Sequence, residues 1–269
     1  MKNYTESLFS LKDKVAVVTG AAGQLGGEFV RALLNSGAKV AAFDVSLGNP
    51  KGKLQNIKSK NLLLVKVDIT NKESIKEGLD SVIKKFSKVN VLINNAALDA
   101  PPNSSKLNTG PFETYPEAAF DKTMDVNLKG MFLCCQTIGG YMAKHNGGSI
   151  INISSIYGML SPDQRIYEYK KEPFFKPVDY SITKAGVLNL TRYLATYWAK
   201  NKVRVNTLTF AGVFNNQDKN FLENYNKKVP LGRMANENDY NGAIIFLASN
   251  ASSYMTGSNM VIDGGYSSW

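Results

Sequence analysis

Short apolar runs alternate with amphipathic stretches along almost the whole chain. Residues 14–19 form a β-branched run stopped by Gly20, the pattern of a parallel strand buried on both faces. Residues 26–35 then place Phe29, Leu33 and Leu34 at helical spacing, and Gly37 marks the end of that helix. The same reading predicts strands at 39–43, 62–67, 89–93, 149–153, 203–208 and 260–262. Helices are predicted at 75–86, where Ile75, Leu79, Val82 and Phe86 share a stripe, and at 181–199 and 239–248. A long helical region runs from 115 towards 141. Such alternation predicts a doubly wound α/β fold, a parallel sheet covered by helices on both faces. Residues 1–269 would form a single domain for dinucleotide binding and catalysis.

Composition narrows the partners. The 32 basic and 22 acidic residues leave a net charge of +10, which suits an anionic ligand. The lysines are scattered, with Lys51, Lys53, Lys58 and Lys60 in one loop region and Lys84, Lys85 and Lys88 at a helix end. A nucleic-acid partner is therefore not expected, and anionic small molecules stay open. No run approaches the length of a membrane span, and the first ten residues lack the apolar core of a signal peptide, so no membrane association is expected. Cys134 and Cys135 are adjacent within an apolar helical run, which reads as two buried thiols in a reducing, cytoplasmic setting. His145 is the only histidine and no cysteine spacing replaces it, so no metal site is expected.

The first strand hands over to the first helix through Thr19-Gly-Ala-Ala-Gly-Gln-Leu-Gly26. Gly20 can make a tight turn, Gly23 can let backbone approach a pyrophosphate, and Gly26 can let helix and sheet pack closely. The helix start, including Gln24 and Leu25, offers unpaired N–H groups to phosphates. This is a Rossmann-type turn. Asp44 lies 24 residues beyond Gly20 at the end of the second strand. A carboxylate there accepts ribose hydroxyls and repels a 2′-phosphate, so NAD is favoured over NADP. No arginine adjoins it, and the nearest downstream cation is Lys51. A solvated loop acid is the plain alternative. Asp68, or the backbone at Ile69 beside it, is placed to hold the adenine amino group.

Tyr180 and Lys184 stand four residues apart on a predicted helix, so their side chains share a face. A phenol beside an ammonium can give and recover a proton during hydride transfer. Ser155, with Ser154 as the competing choice, follows the fifth strand. These residues, with Asn94-Asn-Ala-Ala97, Asn127 in Val126-Asn-Leu-Lys-Gly130, Asn152-Ile-Ser-Ser155, Val203-Arg-Val-Asn206, Pro230-Leu-Gly-Arg233 and the stretch from Thr256 to Gly265, resemble the short-chain dehydrogenase/reductase family. The resemblance runs from Leu11 to Gly265. It implies Asn127, Ser155, Tyr180 and Lys184 as the catalytic group, with Asn127 holding a water that connects Lys184 to solvent. It also implies cofactor contacts at Asn95, Ala96, Val213, Tyr180 and Lys184, and a homodimer or homotetramer. Lys184 is expected to lower the phenol's pKa. The apolar side of helix 181–199, through Val187, Leu190, Leu194 and Trp198, is the expected dimer face. Departures from the family pattern are Gln24 at a usual glycine, Ala97, Phe210-Ala211 in place of Pro-Gly, and Asn215 in place of threonine.

Ser155 and Tyr180 are 25 residues apart, a longer interval than most members carry. The extra material, 159–179, mixes aromatic and basic residues and joins the two catalytic elements, so it passes the pocket mouth. Arg165 is expected to contact an anionic part of the substrate, beside Ser155 and Tyr180; a solvated loop or an oligomer contact is the alternative. Residues 213–233 are the expected substrate lid. The insertion is similar to a subgroup acting in bacterial surface-sugar and flagellin-modification pathways. The reading is therefore an NAD-dependent oxidoreductase acting on a carbinol or carbonyl carbon of a sugar-like small molecule, with phosphorylated and nucleotide-linked forms left open. A 3-oxoacyl carrier-protein reductase and a non-enzymatic dinucleotide-responsive binding protein are the alternatives.

Overall fold

A computed structural model describes residues 4–48, 53–100 and 109–269; Lys51 lies outside them. Seven strands form one parallel sheet: β1 (Val15–Thr19), β2 (Lys39–Asp44), β3 (Leu62–Lys66), β4 (Val91–Asn94), β5 (Gly148–Ser155), β6 (Val203–Phe210) and β7 (Asn259–Ile262). Their order is β3-β2-β1-β4-β5-β6-β7. After β3 the chain crosses back to lay β4 against β1. The strand order therefore reverses between β1 and β4, which opens a crevice at the carboxyl ends of those strands.

The helices are α1 (Tyr4–Phe9), α2 (Gln24–Asn35), α3 (Lys72–Phe86), α4 (Glu117–Met124), α5 (Met131–Cys134), α6 (Gly140–Lys144), α7 (Val178–Tyr197), α8 (Lys219–Asn226) and α9 (Asn241–Ala248). The predicted long helix is the rod α4–α6, in which Asp125–Gly130 and Cys135–Gly139 wind as π-turns. Helix α7 starts three residues earlier than its apolar pattern suggested, after Pro177, and so takes Tyr180 into its first turn. Helix α8 was not anticipated. It is short, and the Asp218 carboxylate caps it by accepting from the Phe221 N–H at 3.0 Å.

Every β1 side chain is buried because the sheet is covered twice. Val15 and Val17 face a layer with α3, α5 and α7, whereas Ala16 and Val18 face a layer with α2 and α9. A third apolar cluster lies beyond the strand ends and joins Tyr157, Ile166, Tyr167 and Phe174 to Phe221, Tyr225 and Met234. Val187, Leu194 and Trp198 are buried in the chain's own core, with Leu190 packed against it. The expected dimer face is thus corrected: it is interior, and α7 turns Ile182, Tyr193 and Tyr197 outward instead.

One polar seam crosses this interior. Asn94, Asn152 and Thr207 stand in register on β4, β5 and β6. The Asn94 amide donates to Asn152 Oδ1 at 2.8 Å, and Asn152 Nδ2 donates to Thr191 Oγ1 of α7 at 2.9 Å. Thr207 Oγ1 donates to the same Thr191 oxygen at 2.8 Å. Each bond offsets the desolvation of a buried polar group.

Candidate active site

The nucleotide turn sits at the switch between β1 and β4. Gly20 has φ +63°, and a Cβ there would fall 2.7 Å from Ala96 Cα. A Cβ on Gly26 would lie 2.0 Å from the Gly20 carbonyl oxygen, so only glycine lets α2 start this close to the turn. Thr19 Oγ1 accepts from the N–H groups of Asn95 and Ala96, each at 3.1 Å. The Asn95 amide donates back to the carbonyls of Thr19 and Gly20 at 3.0 and 3.1 Å. Asn95 and Ala96 thereby brace the turn from β4. Gln24, the unusual residue, donates to the Phe214 carbonyl at 2.8 Å and ties the turn to segment 213–233.

Asp44 ends β2 beside this turn. Its carboxylate accepts from the Ala22 N–H at 2.9 Å and the Ser46 N–H at 3.0 Å. The Asp68 carboxylate is engaged by Thr70, at 2.9 Å from its N–H and 2.7 Å from its hydroxyl. The Ile69 side chain is buried against Gly130, which leaves only its backbone to meet a base.

Ser155, Tyr180 and Lys184 converge on one cavity of about 400 Å³, which Gln24, Asn95 and Val213 also line. Strand β5 delivers Ser155, and the first two turns of α7 deliver Tyr180 and Lys184 on one face. Ser154 Oγ is committed elsewhere, donating to the Lys184 carbonyl at 2.8 Å. Ser155 keeps its hydroxyl at the cavity, where Oγ accepts from the Tyr157 N–H at 3.3 Å. The Lys184 ammonium donates to the Ile153 carbonyl at 3.0 Å and lies 5.6 Å from the centre of the Tyr180 ring. Asn127 is fully buried. Its Oδ1 accepts from the Leu98 N–H at 2.7 Å and its Nδ2 donates to the Leu98 carbonyl at 2.9 Å. The side-chain amide thus clamps the segment that follows β4.

Burial dominates the electrostatics. It pushes the Tyr180 phenol well above 10.0, the Asp99 carboxylate pushes it further, and the Ser155 hydroxyl pulls the other way. Burial also lowers Lys184 from 10.5 to about 8. The expected lowering of the phenol by Lys184 is therefore not found in the free enzyme, because both groups are removed from water together. Tyr157, Tyr167, Tyr225 and Tyr240 are likewise raised by burial. For each, the folded value exceeds the unfolded one, so its stabilisation is complete below pH 10 and is lost as pH rises beyond it. Several raised phenols outweigh the two lowered lysines, Lys14 and Lys184. Urea midpoints measured between pH 9 and 11.5 should therefore fall steeply above pH 10; a midpoint that holds or rises there contradicts this burial.

The inserted segment forms one wall of the cavity and α8 the other. Tyr167 stacks on Phe221 with ring centres 5.7 Å apart, and Tyr169 OH donates to Asp218 at 2.5 Å. Asn224 donates to the Ile166 carbonyl at 3.3 Å, and Lys228 pairs with Asp163. Arg165 is not among the lining residues. Its side chain is 78% exposed, and its guanidinium holds Asp163 at 2.8 and 2.9 Å. The expectation that Arg165 faces the substrate is corrected: Asp163, two residues away, captures it on the outer surface. The inserted cation that enters the cavity is Lys176, paired with Asp99. Sequence reading singled out neither of these. The one available signal was the position of Asp99, two residues after the Asn94-to-Ala97 motif that ends β4.

Comparison with known proteins agrees with this geometry. A family model described as enoyl-(acyl carrier protein) reductase matches residues 20–267. An NAD-dependent glycerol dehydrogenase of Listeria innocua is 32% identical, with 96% of this chain and 95% of that protein aligned. Post-translational flagellin modification protein A of Campylobacter coli is 31% identical over 95% of this chain and 99% of its own length. The crystal structure of a short chain dehydrogenase from Leptospira borgpetersenii with bound NAD+ superposes with a TM-score of 0.85 at 35% identity, covering 99% and 96% of the two chains. Agreement of motif, site and fold over nearly the whole length establishes that the chain belongs to the short-chain dehydrogenase/reductase family, whose members are oxidoreductases.

Proposed function

We propose that the protein transfers hydride between NAD and a secondary carbinol or carbonyl carbon of a sugar-like substrate. The observation that carries this reading is the meeting of Ser155, Tyr180 and Lys184 in one cavity directly beyond the nucleotide turn. The turn suits a dinucleotide, because Gly20 and Gly26 leave bare backbone where a Cβ would intrude. Gly20, Gly23, Gln24, Leu25 and Gly26 would hold the pyrophosphate, and Asp44 the ribose. Asp68 and the Ile69 backbone would face the adenine, with Asn95, Ala96 and Val213 on the nicotinamide side. A bound nicotinamide supplies the hydride acceptor or donor. In oxidation Ser155 positions the substrate oxygen and Tyr180 takes its proton; in reduction Tyr180 returns it. Lys184 supports the phenolate by its charge.

The acyl carrier-protein reductase reading fits less well, since charged side chains and tyrosines share the substrate end of the cavity. A purely regulatory role leaves the convergence of Ser155, Tyr180 and Lys184 without a purpose. Assembly as a homodimer or homotetramer would use the outward residues of α7, including Tyr193 and Tyr197. Two buried free thiols, Cys134 and Cys135, suit a cytoplasmic setting.

NAD should bind more tightly than NADP, and Asp44→Ala should narrow that preference by about 1–3 kcal/mol, the worth of a hydrogen bond to a charged group. Titrating both dinucleotides into wild type and variant, with polyols then supplied and nicotinamide absorbance followed, tests cofactor and reaction together. Equal affinities in the unmodified protein would sink the cofactor assignment.

A further inference from the structure

Lys176 is a buried cation that neither the nucleotide turn nor the proton transfer uses. Gln164 fixes its backbone from both sides: Oε1 accepts from the Lys176 N–H at 2.9 Å and Nε2 donates to its carbonyl at 3.3 Å. From that anchor the ammonium reaches inward, 4.7 Å from the centre of the Tyr180 ring and 6.0 Å from that of Tyr157. It pairs with the Asp99 carboxylate and donates to the Ala100 carbonyl at 3.4 Å. The Lys176 side chain is only 6% exposed, whereas Asp99 stays half open at the same cavity. Burying an ammonium is expensive. A lysine at the outer surface of the insertion, like Arg165, would avoid that cost.

Charge balance then says what such a pair can recognise. Among the described lining residues the cations are Lys176 and Lys184, and the anion is Asp99. In the binding mode proposed above Lys184 would lie on the cofactor side of Tyr180, so the substrate end would carry one positive and one negative group, Lys176 and Asp99, side by side. A phosphate or carboxylate there must displace Asp99 and then face its charge. Two neighbouring hydroxyls meet a donor and an acceptor together: one accepts from the ammonium while the other donates to the carboxylate. The aromatic faces of Tyr157 and Tyr167 complete a wall suited to an uncharged polyhydroxylated carbon chain.

We infer that the Asp99–Lys176 pair selects uncharged polyols, and the corresponding hydroxyketones, that carry a hydroxyl beside the reacting carbon. The inference rests on the hydride-transfer reading above and adds the substrate class. Three probes that share a reacting C2 carbinol test it: 1,2-propanediol, 2-propanol and lactate, whose neighbouring groups are hydroxyl, methyl and carboxylate. With NAD, kcat/KM should be about 10-fold or more higher for the diol than for either other probe. Lys176→Met and Asp99→Asn should each reduce the diol-to-2-propanol ratio by about 10-fold. An NAD-induced rise in melting temperature identifies a folded variant, and the wild-type ranking decides the matter if neither variant folds. A preference for lactate, or a ratio unmoved in both folded variants, overturns the inference and leaves hydride transfer standing. If neither these probes nor D-arabinitol are oxidised, the hydride-transfer reading itself fails, and the inference with it.

Discussion

Replacing Tyr180 with phenylalanine should lower kcat by ~10²–10⁴-fold, the usual worth of a positioned general acid or base. The ring should stay where it is, because it packs against the aromatic cluster and under two ammonium groups, at 4.7 Å from Lys176 and 5.6 Å from Lys184. Dinucleotide affinity should therefore change little, since the turn at Gly20 to Gly26 is untouched. The pattern to look for is a collapse in kcat with the cofactor dissociation constant preserved. Full activity in Tyr180→Phe would remove the phenol from the chemistry.

Lys184→Met should have the second-largest effect, lowering kcat by about 10²-fold or more through loss of the charge that supports the phenolate. It should also change the pH dependence of stability in a defined direction. Wild-type Lys184 is about 8 in the folded state against 10.5 unfolded. Below pH 8 it is charged in both states, and the fold carries the whole burden of burying it. From pH 8 to 10.5 the unfolded chain holds more protons, so wild-type stability gains from this group as pH rises. Methionine has no such dependence. The stability of the variant relative to wild type should therefore decline across that interval, by on the order of 3 kcal/mol. Because the buried tyrosines are common to both proteins, their contribution cancels. Paired urea unfolding at pH 7.5 and 10.5 reads the difference directly, and parallel curves would mean that Lys184 is charged or neutral alike in both states.

The strands and main helices were legible because a sheet covered on both faces leaves continuous apolar runs, and a helix against it leaves a stripe. The turn at Gly20 to Gly26 and the pair Tyr180 and Lys184 were legible because their spacing is itself the geometry. Segments whose shape depends on long-range partners were not. Helix α8 has eight residues, too few to show a period, and is placed by the Tyr169 hydroxyl and the Ile166 carbonyl of the insertion. Arg165 and Lys176 look interchangeable along the chain; which one enters the cavity is settled by Asp163 on one side and Gln164 on the other. The apolar stripe of α7 correctly marked a buried face but carried no label saying whether the covering surface belonged to the same chain. Side-chain counts likewise could not reveal that burial would outweigh Lys184 in setting the Tyr180 phenol.

The seam of Asn94, Asn152, Thr207 and Thr191 works as an alignment key for the chemistry. Ser155 lies three residues beyond Asn152 on β5, and Lys184 lies seven residues before Thr191 on α7, two helical turns along the same face. Both catalytic positions are therefore measured from one hydrogen-bonded row. Sliding β5 by a single residue would bury isoleucine beside Asn94 and turn Asn152 to the opposite layer, leaving amides without partners on both sides of the sheet. A purely apolar core would tolerate such a slip more readily, at the expense of moving Ser155 away from Tyr180. The polar residues at the centre of the sheet thus set the phase of strand against helix, and errors in that phase are rejected during folding, before any substrate is met.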